Sequence, residues 1–93
     1  MFNMEEFGKR LKSLRIEKQY TQESLAEVLG ISRDFVGRLE RGKKGPSIEI
    51  VDILREALGV TADYLLFGDL SLVQKKEELL QKADELKELI NHL

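Results

Sequence analysis

The chain has 93 residues, 42% of them apolar and 34% charged, which is enough for one folded core and too few for two. Its 15 Lys and Arg against 17 Asp and Glu give a formal net charge of −2, so a case for nucleic-acid binding has to rest on where the charges sit. Cysteine is absent and the one histidine, His92, stands next to the last residue, which excludes disulfides, thiolate nucleophiles, cysteine-ligated zinc, a serine–histidine relay and a two-histidine metal site. No catalytic group, metal or cofactor is expected. No apolar run approaches about 18 residues, so no bilayer span is expected. The opening Met-Phe-Asn-Met-Glu-Glu has no positive charge ahead of an apolar stretch and does not read as a secretory signal. The expectation is a cytoplasmic protein that is not an enzyme.

Residues 4–18 place Phe7, Leu11 and Leu14 on one face and predict a first helix. Thr21 offers an N-cap to a second segment, with Leu25, Val28 and Leu29, that stops at Gly30. Ser32 can cap a third, 33–41, that stops at Gly42. Pro46-Ser47 opens a fourth, with Ile48, Ile50, Val51, Ile53, Leu54 and Leu58, expected to be apolar round much of its circumference and central to the core. Gly59 ends it. Thr61 caps a short fifth segment containing Tyr64, Leu65, Leu66 and Phe67, closed by Gly68. No stretch alternates with period two, so the prediction is all-α: five short helices within 4–67. Residues 69–93 lack glycine, proline and aromatics and are dense in Leu, Lys, Glu, Asp and Gln. They predict one long amphipathic helix, about 34 Å if it runs for about 23 residues. The expected division is a domain at 1–68 and a C-terminal helix at 69–93.

Only Gly30, Ile31 and Ser32 separate the second and third segments. A joint that short forces two helices to cross steeply, the helix-turn-helix arrangement, here over about residues 22–41, that lays its second helix in the DNA major groove. Ala26 is small where the helices would approach most closely, and Gly30 permits a left-handed turn. At about 100° per residue, Val36, Leu39, Phe35 and Ser32 share one side of the third helix, and Arg33, Gly37, Arg41, Asp34 and Arg38 form the opposite side. Arginine forks onto guanine or grips phosphate, and the missing side chain at Gly37 is expected to leave room for a base edge or backbone. Asp34 would repel phosphates; it suits accepting from a cytosine amino group or orienting a neighbouring arginine. Arginines on an arbitrary helix most often serve only as a solvated face. Glu40 falls on the inward margin, where a carboxylate needs a partner, and Arg15, one turn after Leu11, is the candidate for a structural ion pair.

The ordered set Thr21-Gln22-Glu23-Ser24-Leu25-Ala26, Gly30-Ile31-Ser32, Leu39-Glu40-Arg41-Gly42, Pro46-Ser47 and Ala57-Leu58-Gly59-Val60 resembles the phage-repressor helix-turn-helix domains of the Cro and lambda-repressor type. The resemblance runs from about residue 7 to 68, and lies nearest to restriction-modification controller proteins and small stand-alone repressors. It implies a lambda-repressor-like fold, a prokaryotic or phage transcriptional regulator, and residues 32–41 as the recognition helix on double-stranded DNA. It also implies that Gln22, at the start of the second helix, grips the DNA backbone, and it supports the pairing of Arg15 with Glu40. With it, the solvated-face reading of the arginines gives way to a groove-reading one. Ser32, Arg33, Gly37 and Arg38 are then the expected base-reading set, with Asp34 beside them on the DNA-binding face, and Arg41, Lys43 and Lys44 lie in or beside the following loop as phosphate contacts. Residues 33–45 carry five basic and two acidic side chains, a local +3, while the other eighty carry −5. Lys9, Arg10, Lys12 and Lys18 are for the most part a solvated face.

From Leu72 the C-terminal pattern repeats every seven residues through Leu79, Leu86 and Leu93, with Lys76, Ala83 and Ile90 at the alternate core position. Val73, Leu80 and Leu89 widen the stripe. The helix can pair with its copy in a homodimer, fold back onto the fourth and fifth helices, or receive a different protein such as an antagonist or toxin. Intermolecular pairing is favoured, because a regulator of this kind reading a palindrome needs a two-fold axis. The rival function is an antitoxin or protein-interaction module.

Overall fold

The computed structural model describes residues 1–68, 81 and 84–91, and the described elements are helical with no strand among them. Helix α1 spans Met4–Glu17, α2 Gln22–Leu29, α3 Arg33–Glu40, α4 Ile48–Leu58 and α5 Ala62–Phe67. Residues 84–91 are helical as well.

Each start is written in a polar side chain. Asn3, Thr21, Ser32, Ser47 and Thr61 sit at the N-caps in extended backbone, each accepting from the amide three residues on at 2.9–3.2 Å. Thr21 and Ser24 close a reciprocal capping box. Such caps are worth about 1 kcal/mol each, because they satisfy amides that a helix start leaves without partners.

Phe7, Leu11, Leu25, Val36, Leu39, Leu54, Leu58 and Leu65 are fully buried and form the centre of the core. Helix α1 packs on α3 and α5, α2 on α3 and α4, and α4 on α5. The expectation that α4 is apolar round most of its circumference and central is corrected. Only its Ile50–Leu54–Leu58 stripe is buried, Val51 and Ile53 are half-buried, and Ile48 is 88% exposed. The cause is position: one face of α4 meets the bundle, and Ile48 opens the helix on another face. Val28 of α2 is exposed, beside the buried Leu25 and Leu29.

Helix α1 and the end of α3 meet backbone to backbone at Gly8. A Cβ there would clash with the main-chain carbonyls of Glu40 and Leu39, the latter at 2.6 Å. This contact sets how closely α3 is drawn against the domain. Arg10, expected on a solvated face, is half-buried and donates from Nη1 to the Leu65 carbonyl at 2.9 Å near the end of α5.

Candidate nucleic-acid interface

The joint between α2 and α3 turns on Gly30, whose backbone is left-handed (φ 67°, ψ 31°), a conformation glycine adopts without the steric penalty of a Cβ. Ile31 follows, and Ser32 caps α3. The third helix is therefore anchored at both ends: by this turn at its start and by the Gly8 contact at its finish. Its inward side is Val36 and Leu39, both fully buried, with Glu40 beside them.

Glu40 is the centre of a polar knot. Arg15 Nε donates to Glu40 Oε2 at 2.6 Å and Arg15 Nη2 to Oε1 at 3.2 Å, a two-pronged ion pair whose side chains are 11% and 4% exposed. Arg15 Nη1 also donates to the Tyr20 carbonyl at 3.0 Å. Gln22 Nε2 completes the carboxylate's partners, donating to Oε1 at 3.0 Å. One buried carboxylate thus ties α1, the first turn of α2 and the last residue of α3. No buried polar side-chain atom is left without a partner among the described residues. Gln22 and Arg15 share Glu40 Oε1, a tie that the pairing of Arg15 with Glu40 expected from the sequence does not include. The available signal was that both Gln22 and Glu40 belong to the motif, although eighteen positions separate them.

The outward side of α3 presents Arg33, Asp34 and Arg38, all exposed, with Ser32 exposed at the N-cap, and Arg41, Lys43 and Lys44 follow exposed at its C-terminal end. Arg38 Nε and Asp34 Oδ2 form an ion pair at 3.0 Å, one helical turn apart. With both side chains more than half exposed, that pair adds little stability, a few tenths of a kcal/mol at about 0.3–0.5. The expectation of open space at Gly37 is corrected: the residue is buried, because the Arg41 side chain lies back over it. An open cleft of about 470 Å³ is lined by Arg15, Tyr20, Thr21, Gln22, Glu23 and Arg33. It brings Gln22 and Arg33, the first residues of α2 and α3, to one rim. The amides opening α2 and the guanidinium of Arg33 suit an anionic oxygen, and the α3 face suits edge-on hydrogen bonding to planar acceptors.

Of the C-terminal stripe, Leu86 and Ile90 fall among the described residues and are 60% and 67% exposed, as is the neighbouring Leu89 at 65%. Leu72, Lys76, Leu79, Ala83 and Leu93 lie outside them. No described helix is long and apolar enough to cross a membrane.

Comparison with known proteins agrees with this architecture. The sequence profile of the family described as "Helix-turn-helix" matches residues 11–65. The chain is 44% identical over 62 residues (67% of this chain) to the SPbeta prophage-derived HTH-type transcriptional regulator YonR of Bacillus subtilis, and spans 57% of that protein's length. It is 41% identical over 59 residues (63% of this chain, 86% of the relative) to the HTH-type transcriptional regulator YazB of the same organism. Among solved structures, the restriction-modification controller protein C.AhdI from Aeromonas hydrophila superposes with a TM-score of 0.62 at 36% identity, covering 68% of this chain and 96% of that one. The P22 c2 repressor in complex with a synthetic operator superposes at 0.65 with 32% identity over the same shares of the two chains. The profile match, the relatives and the folded geometry place one conclusion beyond the resemblance noted from the sequence: this chain belongs to the helix-turn-helix family.

Proposed function

We propose that the protein is a sequence-specific regulator of transcription that binds double-stranded DNA as a homodimer, with Ser32 to Arg41 entering the major groove. The observation that carries this reading is the two-sidedness of α3: Val36 and Leu39 are buried, while Arg33, Asp34 and Arg38 stand exposed on the opposite side and Ser32 is exposed at the N-cap. The P22 c2 repressor, solved on its operator, supports the same use of the fold. On this reading the five helices of residues 1–68 are the DNA-binding domain and residues 69–93 a dimerisation helix. Two recognition helices then reach successive major grooves about 34 Å apart on an inverted repeat. Base preference comes from Ser32, Arg33, Asp34 and Arg38. Phosphate affinity comes from Arg41, Lys43, Lys44, the opening amides of α2 and the second N–H of the Gln22 amide, the first being given to Glu40. The protein works in the cytoplasm, and its role is regulatory rather than enzymatic.

Selection of bound sites from random duplexes tests the reading, with an inverted repeat as the expected outcome. Two substitutions separate the classes of contact. Arg38→Ala should relax discrimination at one base-pair position by about 1–3 kcal/mol. Lys44→Ala should weaken all sequences alike and reduce the slope of affinity against salt by about one counterion. Binding and salt dependence untouched by both would overturn the assignment of this surface.

The dimer has its own test. Leu86→Lys together with Ile90→Lys should give a monomer in sedimentation while the thermal midpoint of the domain stays put, because both side chains are exposed within the chain. A wild-type chain that sediments as a monomer would remove the two-fold reading. A second reading is favoured by one relative: the antitoxin PezA of Streptococcus pneumoniae is 34% identical over 82 residues, of which this chain spans 52% of the length. In that case the exposed Leu86, Leu89 and Ile90 receive a different protein, and copurification of a small unrelated partner would show it.

A further inference from the structure

Gly37 stands in the interior of α3, where glycine is less favourable than alanine by about 1 kcal/mol. A built Cβ at Gly37 would lie 2.9 Å from Arg41 Nη1, 3.7 Å from Cζ and 3.8 Å from Nη2, so its three nearest neighbours outside the helix backbone all belong to Arg41. The helix geometry explains this. Arg41 is the C-cap residue, with near-helical backbone (φ −85°, ψ 0°), and stands four residues after Gly37. Side chains on a helix lean toward its N-terminus and cover the residue one turn earlier. The Arg41 side chain therefore runs back along α3 and its guanidinium rests on the bare backbone of Gly37.

The two arginines at this end of α3 are held differently. Arg38 is fastened to Asp34. Arg41 has no carboxylate within ion-pair distance among the described residues, so the donors of its fork are unspent. We infer that Gly37 is a positioning residue: by lacking a side chain it gives the Arg41 guanidinium a seat on the groove-facing side of α3, which makes Arg41 a determinant of base preference as well as a phosphate contact. This rests on the proposed docking of α3 in the major groove. It differs from a glycine that simply lets DNA come close, because the space at position 37 is already filled by protein.

The test uses the full chain, the duplex recovered by the wild-type protein from a random pool, and a mixed-sequence duplex of equal length. Arg41→Ala should reduce affinity for the selected duplex about tenfold more than for the mixed one. Gly37→Ala should fold with an unchanged or raised thermal midpoint, yet lose about three- to tenfold and shift preference at the same base pair, because the methyl group displaces the guanidinium. The double variant should bind within about twofold of Arg41→Ala alone, since the seat has no value once its occupant is gone. Multiplicative losses in the double variant would show that Gly37 itself meets DNA and would overturn the inference, as would an Arg41→Ala protein that binds both duplexes like wild type. In either case, loss of discrimination in Arg38→Ala would leave the reading of α3 standing. If Arg38→Ala and Lys44→Ala were also silent, the reading itself would fall and the inference with it.

Discussion

Glu40→Ala is expected to lower the unfolding free energy by about 3–5 kcal/mol, the largest single effect anticipated for this chain. The carboxylate accepts from Arg15 twice and from Gln22 once, and its side chain is 4% exposed. Removing it leaves the Arg15 guanidinium buried against α3 with only the Tyr20 carbonyl for company. An uncompensated buried charge is far more expensive than the intact pair is stabilising, because water is excluded from the site and nothing else can solvate it. In a domain this small, each kcal/mol moves the thermal midpoint by about 4–8 °C, so the variant should melt about 12–40 °C lower. Chemical denaturation of the wild type and Glu40→Ala checks it, and a loss under about 1 kcal/mol would mean that the pair is not buried in solution. Arg15→Met combined with Glu40→Leu separates the strength of the pair from the harm of breaking it. That double variant should be markedly more stable than either single alanine variant, since no orphaned charge remains.

Gly8→Ala should be the second most damaging of the changes considered. On helix propensity alone it would stabilise α1 by about 1 kcal/mol. The structure reverses the sign: the added methyl group meets the carbonyl oxygens of Glu40 and Leu39, main-chain atoms that cannot rotate away as a side chain would. Helices α1 and α3 must move apart, opening the contact on which the Arg15–Glu40 distances depend. Overpacking of this kind costs about 1–3 kcal/mol net, and here it also tilts the reading helix. Thermal melting beside Gly37→Ala makes the comparison internal, because the obstacle at Gly37 is the end of one flexible side chain. Gly8→Ala should fall below wild type while Gly37→Ala equals or exceeds it. Equal midpoints for the two variants would refute the close approach.

Much of this architecture is readable without coordinates because it is enforced locally. A hydroxyl three residues ahead of an amide makes a cap wherever it occurs, so Thr21, Ser32, Ser47 and Thr61 announce four helix starts. Which residues of α3 face solvent follows from angular arithmetic once Val36 is set inside. What depends on the neighbouring helix is not readable in the same way. Nothing around Gly8 says that a carbonyl lies opposite, and the Ile-rich composition of α4 does not say that Ile48 is left in water. Gly37 shows the same boundary within one helix. Its missing side chain marks a space, but only the length and lean of Arg41 decide what fills it. Gln22 was legible as part of the motif, whereas its bond to Glu40 needed the packing of α2 against α3.

The knot at Glu40 has a consequence for how such a regulator changes partners over generations. Apart from the Ser32 cap, the residues that hold the pose of α3, among them Gly30, Arg15, Gln22, Glu40 and Gly8, are separate from the exposed set Ser32, Arg33, Asp34 and Arg38. Substitutions in that exposed set leave the scaffold's stability within about half a kcal/mol, apart from the cap at Ser32. On the proposed docking of α3, the address written on the helix can therefore be rewritten one letter at a time on an unaltered frame, and grafting foreign side chains at the exposed positions from Ser32 to Arg38 is the natural way to retarget it.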